Sequence, residues 1–506
     1  MSGERRNSVY FLVVDVGTEG TKSAVISDSG LFVATSYQEY DLEFPREYWA
    51  TQDPRVWWNA VKKTVKEALA LSKISPDAIA AMGVCGQMHA PIPFSRDGEI
   101  LYHQPPLWLD KRNIEQCESL RKTVDEEGLL PITGNPITPA WMGLKIKWIK
   151  DNLPSVYEKT HKFLTPKDSI TFMLTGQFVI DKSEASGSFL FDSRKDCWSS
   201  ELAEMLGVDL EKLPPIFSSH EVVGELRRDV AQEFALRSGI PVIAGGGDFC
   251  CAMLGAGGVF ENIAIDVAGT SSLMAACTRE IKTDLRLMNL RHVVEGWILF
   301  NEVEAGLAKW FKENFADAEK KMAQESGRSV YSILDENAER IPCGSDGLII
   351  FPHFIGERVL GRYRCRGGFA GLSLKHTKSH IFRAILEGTT YELRRYLELI
   401  EGLTGRGFDS VRLVGGGAVS PLLRKIRANV YGRRVELLES FQGGLSGLAM
   451  LCMLNLKFEG GSLDRILKKF VRVVELVEPE NELHQIYNSY YLAYEKLYDL
   501  IGSFYA

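Results

Sequence analysis

The same run of apolar and polar positions occurs twice in the chain. Val13-Val14-Asp15-Val16-Gly17-Thr18-Glu19-Gly20-Thr21-Lys22-Ser23-Ala24-Val25-Ile26 reads as strand, acid, Gly-Thr turn, Thr/Ser-rich return and strand. Ile265-Asp266-Val267-Ala268-Gly269-Thr270-Ser271-Ser272-Leu273-Met274 repeats it. Two copies this far apart predict two related halves facing each other. Around them the pattern predicts buried strands at Phe11 to Asp15, Ile79 to Val84, Pro241 to Ala244, Gly347 to Phe351 and Val411 to Val414. Asp53-Pro54 predicts a helix start, and Trp57, Ala60, Val61, Thr64, Val65, Ala68 and Leu69 then share one side of a helix. Helical spacing is also present in Lys145 to Asn152, Pro166 to Leu174, Glu302 to Phe315, Glu439 to Met453 and the aromatic-rich His484 to Phe504. A helix opens at Ser420-Pro421, with Leu422, Ile426 and Val430 on one face. Glycines gather between 245 and 260, which predicts a hinge there.

Glycine clusters also mark the candidate chemistry. Gly245-Gly246-Gly247 ends a strand and delivers Asp248. A lone carboxylate there suits a general base, and it equally suits the cap of the next helix. Each Gly-Thr turn offers backbone N–H and hydroxyl donors to phosphate. Neither GxxxxGK[ST] nor a helix-opening GxGxxG is present, which excludes the common P-loop and dinucleotide motifs and, with them, a nicotinamide dehydrogenase. The strand ending at Val84 runs into Cys85-Gly86-Gln87-Met88-His89, where α/β folds place ligand contacts. Core packing of Met88 and a satisfied loop His89 is the other reading. Asp168, Asp181 and Asp192 read as caps and loop hydrogen-bonders, and the basic run Arg362-Tyr363-Arg364-Cys365-Arg366 as a solvated loop.

With 506 residues the chain calls for two large domains or more. A hydrophobic content of 45% and a charged content of 25% are those of a soluble globular protein. The net charge of −7 argues against a nucleic-acid partner. Apolar runs are too short to span a bilayer, and the polar start MSGERRNS is unlike a signal peptide. Nine scattered cysteines without a CxxC pair read as reduced thiols of a cytoplasmic protein.

These motifs, in this order, resemble the FGGY family of carbohydrate kinases. Asp15-Val16-Gly17-Thr18 with Thr21-Lys22 is similar to its first phosphate motif, and Ala268-Gly269-Thr270-Ser271 to its second. Gly415-Gly416-Gly417-Ala418 is similar to its adenosine motif, and Gly245-Gly246-Gly247-Asp248 to the segment carrying its base. Gly367 to Leu372, His380-Ile381 and Ala384 to Glu387 fit a family signature, and half of another is present from Lys145 to Asn152. The resemblance implies an α/β, two-domain actin-like ATPase fold (ribonuclease H-like, hexokinase-like) with a cleft between domains 1–247 and 248–506. It implies ATP and Mg²⁺ as cofactors, a small sugar as partner, and no nucleic acid or membrane; homodimers are common among such kinases.

Residue by residue, the resemblance makes Asp248 the catalytic base and Asp15 the Mg²⁺ holder. Gly17, Thr18, Lys22, Gly269 and Thr270 would face the phosphates, and Gly415, Gly416, Gly417 and Ala418 the adenosine. Met88, His89, Trp108 and Asp110 would line the sugar with Asp248. The xylulokinase branch is the most similar, which implies transfer to the 5-hydroxyl of D-xylulose. Glu19, Ala90, Leu109 and Phe249 depart from that branch, where Ser, Gly, Asn and Asn are usual. Another ketopentose, a polyol or a sugar acid is the alternative acceptor. A non-catalytic nucleotide-binding regulator on the same fold is the alternative class.

Overall fold

The computed structural model describes residues 9–259, 262–269, 271–303 and 306–504. Thr270 of the second Gly-Thr turn lies outside them. In the first half, β1 (Tyr10–Val16) and β2 (Gly20–Ser27) form the expected antiparallel hairpin, and β3 (Phe32–Glu39) extends it. Helix α1 (Pro54–Ser72) leads to β4 (Ile79–Gly86), which lies parallel to β1. Helices α2 (Met142–Asn152) and α3 (Pro166–Thr175) precede β5 (Val222–Glu225), β6 (Pro241–Ile243) and the two-residue β7 (Gly246–Gly247). The strand order is β5-β6-β4-β1-β2-β3, with β7 also on β4.

The second half opens with α4 (Asp248–Gly255), followed by β8 (Ile263–Ala268), β9 (Ser272–Thr278), β10 (Met288–Arg291) and β11 (Trp297–Val303). Then come α5 (Leu307–Phe315), α6 (Val330–Glu339), the hairpin strands β12 (Ile349–Phe351) and β13 (Gly368–Ala370), and the long α7 (Lys378–Thr404). The chain finishes with β14 (Ser410–Val414), α8 (Pro421–Tyr431), β15 (Arg434–Leu438), α9 (Gly444–Asn455), β16 (Val473–Val477) and α10 (Asn481–Phe504). The sheet order is β10-β11-β9-β8-β14-β15-β16. From β11 onward it repeats the first sheet strand for strand and direction for direction. In each sheet two antiparallel strands flank the leading one, two parallel strands follow, and an antiparallel edge closes the far side. The internal repeat read from two Gly-Thr hairpins is thus a repeat of whole sheets.

Local sequence explains the helices that brace these sheets. Asp53 caps α1 by accepting from the Arg55 N–H, and Pro54 occupies its first turn. Trp57, Ala60, Val61, Thr64, Val65 and Ala68 are buried, and α1 lies across β2 and β3. Each large apolar side chain hidden this way contributes about 1.5–3 kcal/mol. One predicted helix is shorter than expected: Glu302 belongs to β11, opposite Leu273 in the ladder, and the helix starts only at Leu307. The run Trp297-Ile298-Leu299-Phe300-Asn301-Glu302-Val303 pairs along its whole length with β9 and, from Trp297 to Phe300, also with β10. Likewise α9 begins at Gly444 rather than Glu439.

Helix α9 is apolar on every side and buried along its first ten residues, as a helix enclosed by protein must be. It packs on α4 and on the face of β1 and β4. One continuous core runs through this helix pair, from Phe11 and Val13 of the first sheet to Ile265 and Val414 of the second. Glycine permits the close crossing: a Cβ on Gly447 would sit 2.1 Å from the Cys251 carbonyl oxygen. Among the described residues, no helix is long and apolar enough to cross a membrane. Gly447→Ala should therefore force α4 and α9 apart, costing roughly 1–3 kcal/mol or more. A thermal midpoint equal to that of the unaltered protein would contradict this packing.

Candidate active site

The two carboxylates singled out by the motifs converge at the ends of neighbouring strands. Asp15 closes β1, and β4 beside it ends in Cys85 and Gly86. Gly246 and Gly247 pair with that same end, so Asp248 emerges as the first residue of α4. Gly245 is the joint: its φ is +71°, and a Cβ there would lie 1.8 Å from the Val84 carbonyl oxygen. Only glycine fits so close an approach in that conformation. Burial, then the charge of Asp15, raises the Asp248 carboxyl to about 8, although the Phe249 N–H donates to its Oδ1 at 2.6 Å. Burial also raises Asp15, against a hydrogen bond with the Cys85 thiol and the charge of Lys22. Lys22 is half-buried and faces Asp15 across the hairpin. The Oδ1 of Asp15 is buried and has no hydrogen-bond partner among the described residues.

The first Gly-Thr turn is held by side chains that converge from the same lobe. The Gly17 N–H donates to the Gly20 carbonyl at 3.0 Å. Tyr40 donates to the Gly17 carbonyl, and Gln52 Nε2 to the Thr18 carbonyl. Gln52 Oε1 accepts from Trp57 and Gln87, so one amide ties this turn to α1 and to the end of β4. Trp108 donates its indole N–H to the Thr18 hydroxyl at 2.9 Å, which ties its ring to the first Gly-Thr turn. Asp110 departs from the sequence expectation. It is fully buried, and both oxygens are engaged by Arg112 while Oδ2 also accepts the Ala50 N–H. With its carboxylate saturated, Asp110 shapes the turn that presents Trp108 and offers no open oxygen to a sugar.

Met88 and His89 follow the end of β4 and are buried. Met88 packs on Gly247, where a Cβ would meet its sulfur at 2.4 Å. His89 has a φ of +67° and stands edge-on to Trp141, with ring centroids 5.0 Å apart. Burial, then Lys145 and Arg358, hold its ring well below the usual histidine range, so it is neutral. Phe249, beside the base, packs on Phe300 of β11.

A buried polar network that the sequence did not disclose fixes the Asp248 segment from behind. Ser183 Oγ accepts the Gly247 N–H at 2.9 Å and donates to Asp181, which also accepts from Ser219. Lys167 donates to Asp168 and to the Ala244 carbonyl, and it pairs with Asp181 at 3.1 Å. Burial opposes its charge, but Asp168, Asp181 and Glu184 hold the ammonium above the usual lysine range. Asp168 and Asp181 are thus caps and network members, and Asp192 binds Arg194.

The second glycine set opens onto a cavity of about 740 Å³. Gly269, Gly416 and Gly417 lie on its wall, with apolar Leu307, Phe382 and Leu386 and polar Ser332 and Asp335. Gly415 has a φ of +92°, and its Cβ position lies 2.7 Å from the Ala268 carbonyl oxygen. The two motifs therefore abut, which needs glycine. Ala418 belongs to the short turn that follows, where its N–H returns to the Gly415 carbonyl. Ser420 caps α8 by accepting the Leu423 N–H, so the first turn of that helix faces the cavity. Asp335 and Ser332, on α6, come from a stretch in which the sequence has no motif.

From the second lobe, the loop between β12 and β13 reaches across to the first. Lys111 donates to the Ile355 carbonyl at 2.8 Å, Arg121 to the Tyr363 hydroxyl, and Tyr363 to the Ile137 carbonyl. Tyr363 and Cys365 are buried, so the basic run is docked through these two side chains, while Arg364 and Arg366 stay exposed as a solvated loop would have them. Arg358 in this loop forms a close, buried ion pair with Glu302 and places its guanidinium 5.3 Å from the centre of the Trp108 ring.

Lys167→Met should leave Asp168 and Asp181 as uncompensated buried charges, a loss of about 3–5 kcal/mol. It is checked by a lower denaturant midpoint at unchanged m-value.

Comparison with known proteins accounts for both halves. Residues 10–255 match the FGGY family of carbohydrate kinases, N-terminal domain, and residues 265–456 match its C-terminal domain. A xylulose kinase of Bacillus subtilis (strain 168) is 28% identical over 498 residues, covering 97% of this chain and 96% of that protein. A solved xylulose kinase from Rhodospirillum rubrum superposes with a TM-score of 0.86 at 25% identity, over 99% of this chain and 100% of that one. The gluconate kinase from Lactobacillus acidophilus superposes with a TM-score of 0.88 at 22% identity, over 99% of each chain, a likeness of fold alone. Two duplicated lobes, each matched to its own half of one family, place this chain in the FGGY family of carbohydrate kinases, ATP-dependent sugar kinases of the actin-like fold.

Proposed function

We propose that the protein transfers the γ-phosphate of ATP to the 5-hydroxyl of D-xylulose. The observation that carries the reading is Asp248, a half-buried carboxyl aligned at the strand ends with Asp15 and raised to about 8. A base whose proton affinity lies near neutral pH suits removal of a hydroxyl proton. The full-length likeness to xylulose kinases supports the choice of acceptor. A sugar acid, another ketopentose or a polyol is the second reading. It is favoured by Phe249, which stands beside the base where Asn is usual in the xylulokinase branch and packs on Phe300.

In this reading Asp248 accepts the proton of the attacking hydroxyl. Met88, His89 and Trp108 shape the acceptor side, and Asp110 acts through the turn that carries Trp108. Gly17, Thr18 and Lys22 from one lobe, and Gly269 and Thr270 from the other, face the phosphates. Gly415, Gly416, Gly417 and Ala418 bear on the adenosine, within reach of the 740 Å³ cavity. The donor set fits Mg²⁺: the buried, unpartnered Oδ1 of Asp15 and its raised carboxyl both call for a cation. Asp15 would hold that ion, which neutralises phosphate charge when bound. Closure of the lobes excludes water from the donor.

The test is coupled ATP turnover with Mg²⁺ against pentuloses, pentitols, hexuloses and sugar acids. D-Xylulose is expected to give the highest kcat/KM. Asp248→Asn should lower turnover by roughly 10²–10⁴-fold or more while ATP binding persists. Equal activity of that variant would remove Asp248 as the base; ATP turnover that is independent of any sugar and unaffected by the variant would favour a nucleotide-binding regulator.

The pH dependence has a definite sign. The base works deprotonated, and its carboxyl is raised, so acceptor kcat/KM should climb with pH well above the usual aspartate range. Its limb in limiting Mg²⁺ should approach pH 8 and move to lower pH as Mg²⁺ compensates Asp15. A limb near pH 4, insensitive to Mg²⁺, would contradict this.

A further inference from the structure

The acceptor side of the site, described so far from the first lobe, contains one arginine that the second lobe supplies. On the sugar-kinase reading above, we infer that Arg358 is a specificity-determining residue of the acceptor pocket, carried there by the loop between β12 and β13 and aimed by Glu302.

Three observations converge on this side chain. Arg358 and Glu302 are both buried, at 6% and 7% exposure, so their contact is not an exposed surface pair. The guanidinium lies over Trp108, the aromatic that also binds Thr18. Its charge acts on His89 and on Lys145, while that of Glu302 acts on Asp248. Arg358 therefore stands among the acceptor-side residues of the other lobe, away from the residues that line the large cavity.

The chemistry suits a polyhydroxylated acceptor. A guanidinium presents several N–H donors in one plane, a match for adjacent hydroxyls or for a carbonyl beside a hydroxyl. Glu302 fixes the direction of that plane. The loop is pinned at Lys111 and at Tyr363, so the guanidinium reaches the pocket only while the lobes are together. An acceptor able to bridge Trp108, His89 and Arg358 would then bind best to the closed form. A purely structural ion pair, holding the loop to β11, would carry no such dependence on acceptor.

The deciding measurement is steady-state kinetics on the sugar panel with the full-length protein, Arg358→Lys and Lys111→Met, alongside their thermal midpoints. Lysine keeps the charge and loses the plane. Arg358→Lys is expected to raise acceptor KM at least tenfold and reorder the preferred sugars, with KM for ATP changed less than twofold. Lys111→Met frees the Ile355 carbonyl and should raise acceptor KM by a smaller factor in the same direction. Unchanged acceptor KM and sugar order in Arg358→Lys would overturn the inference, whatever its midpoint. Should that variant not fold, unchanged acceptor KM in Lys111→Met overturns it instead. If the unaltered protein phosphorylates no sugar, the kinase reading falls and takes this inference with it. That failure is visible before any variant is made.

Discussion

Two carboxylates at adjacent strand ends repel each other, and much of this structure keeps them there. Asp15 and Asp248 are drawn together by a parallel sheet that brings the ends of β1, β4 and β7 level. Such an arrangement opposes folding, since neither acid has an arginine against it among the described residues. The opposing free energy is met locally. Gly245 permits an approach that no other residue could make, and Ser183, Asp181 and Lys167 lock the Asp248 segment from behind. Alignment of this kind is what phosphoryl transfer requires, because positioning and charge neutralisation do most of the catalytic work.

The repeat clarifies how one half came to hold the acid chemistry. Asp15 and Asp266 stand one position apart in equivalent hairpins: Asp15 lies two residues before Gly17 and Asp266 three before Gly269, so the ladders match Asp15 with Val267. Their surroundings are opposite. Asp266 is ion-paired with Arg427 at 2.9 Å and accepts from Tyr431 at 2.7 Å, both residues of α8. Asp15 meets only the Cys85 thiol and the charge of Lys22. One residue of offset turns a strand side chain to the opposite face, so one hairpin buries its acid against α8 and the other presents it at the strand ends beside Asp248.

That contrast also explains what was legible in the sequence. Glycine-bounded strands and their acids are short-range features, so the sheet repeat and the placement of Asp248 could be read from Gly245-Gly246-Gly247 and the Gly-Thr hairpins. Capping is equally local, and Asp53-Pro54 and Ser420-Pro421 open helices as their chemistry dictates. Partners distant in sequence could not be read. Asp110 is saturated by a turn that folds back on Ala50, and Trp108 is held by Thr18, ninety residues away. Arg358 lies just before the run Arg362 to Arg366, whose composition suggests solvent, and the loop that carries both is docked by Lys111 and Arg121. Asp335 and Ser332 lie on an ordinary amphipathic helix, and only the packing of α6 brings them to the cavity.

The pairing of Asp266 with Arg427 has a thermodynamic consequence for the molecule as a whole. Asp266 carries its counter-ion in the second lobe's own sequence, so its charge is balanced whatever small ions are present. The buried Oδ1 of Asp15 has no partner among the described residues, which leaves the first lobe open to a cation. Its stability therefore depends on what it binds, growing as RT ln(1 + [L]/Kd) with any cation or cation–nucleotide complex that settles there. Because one core joins the two lobes, a cation or nucleotide bound in either raises the melting point of both.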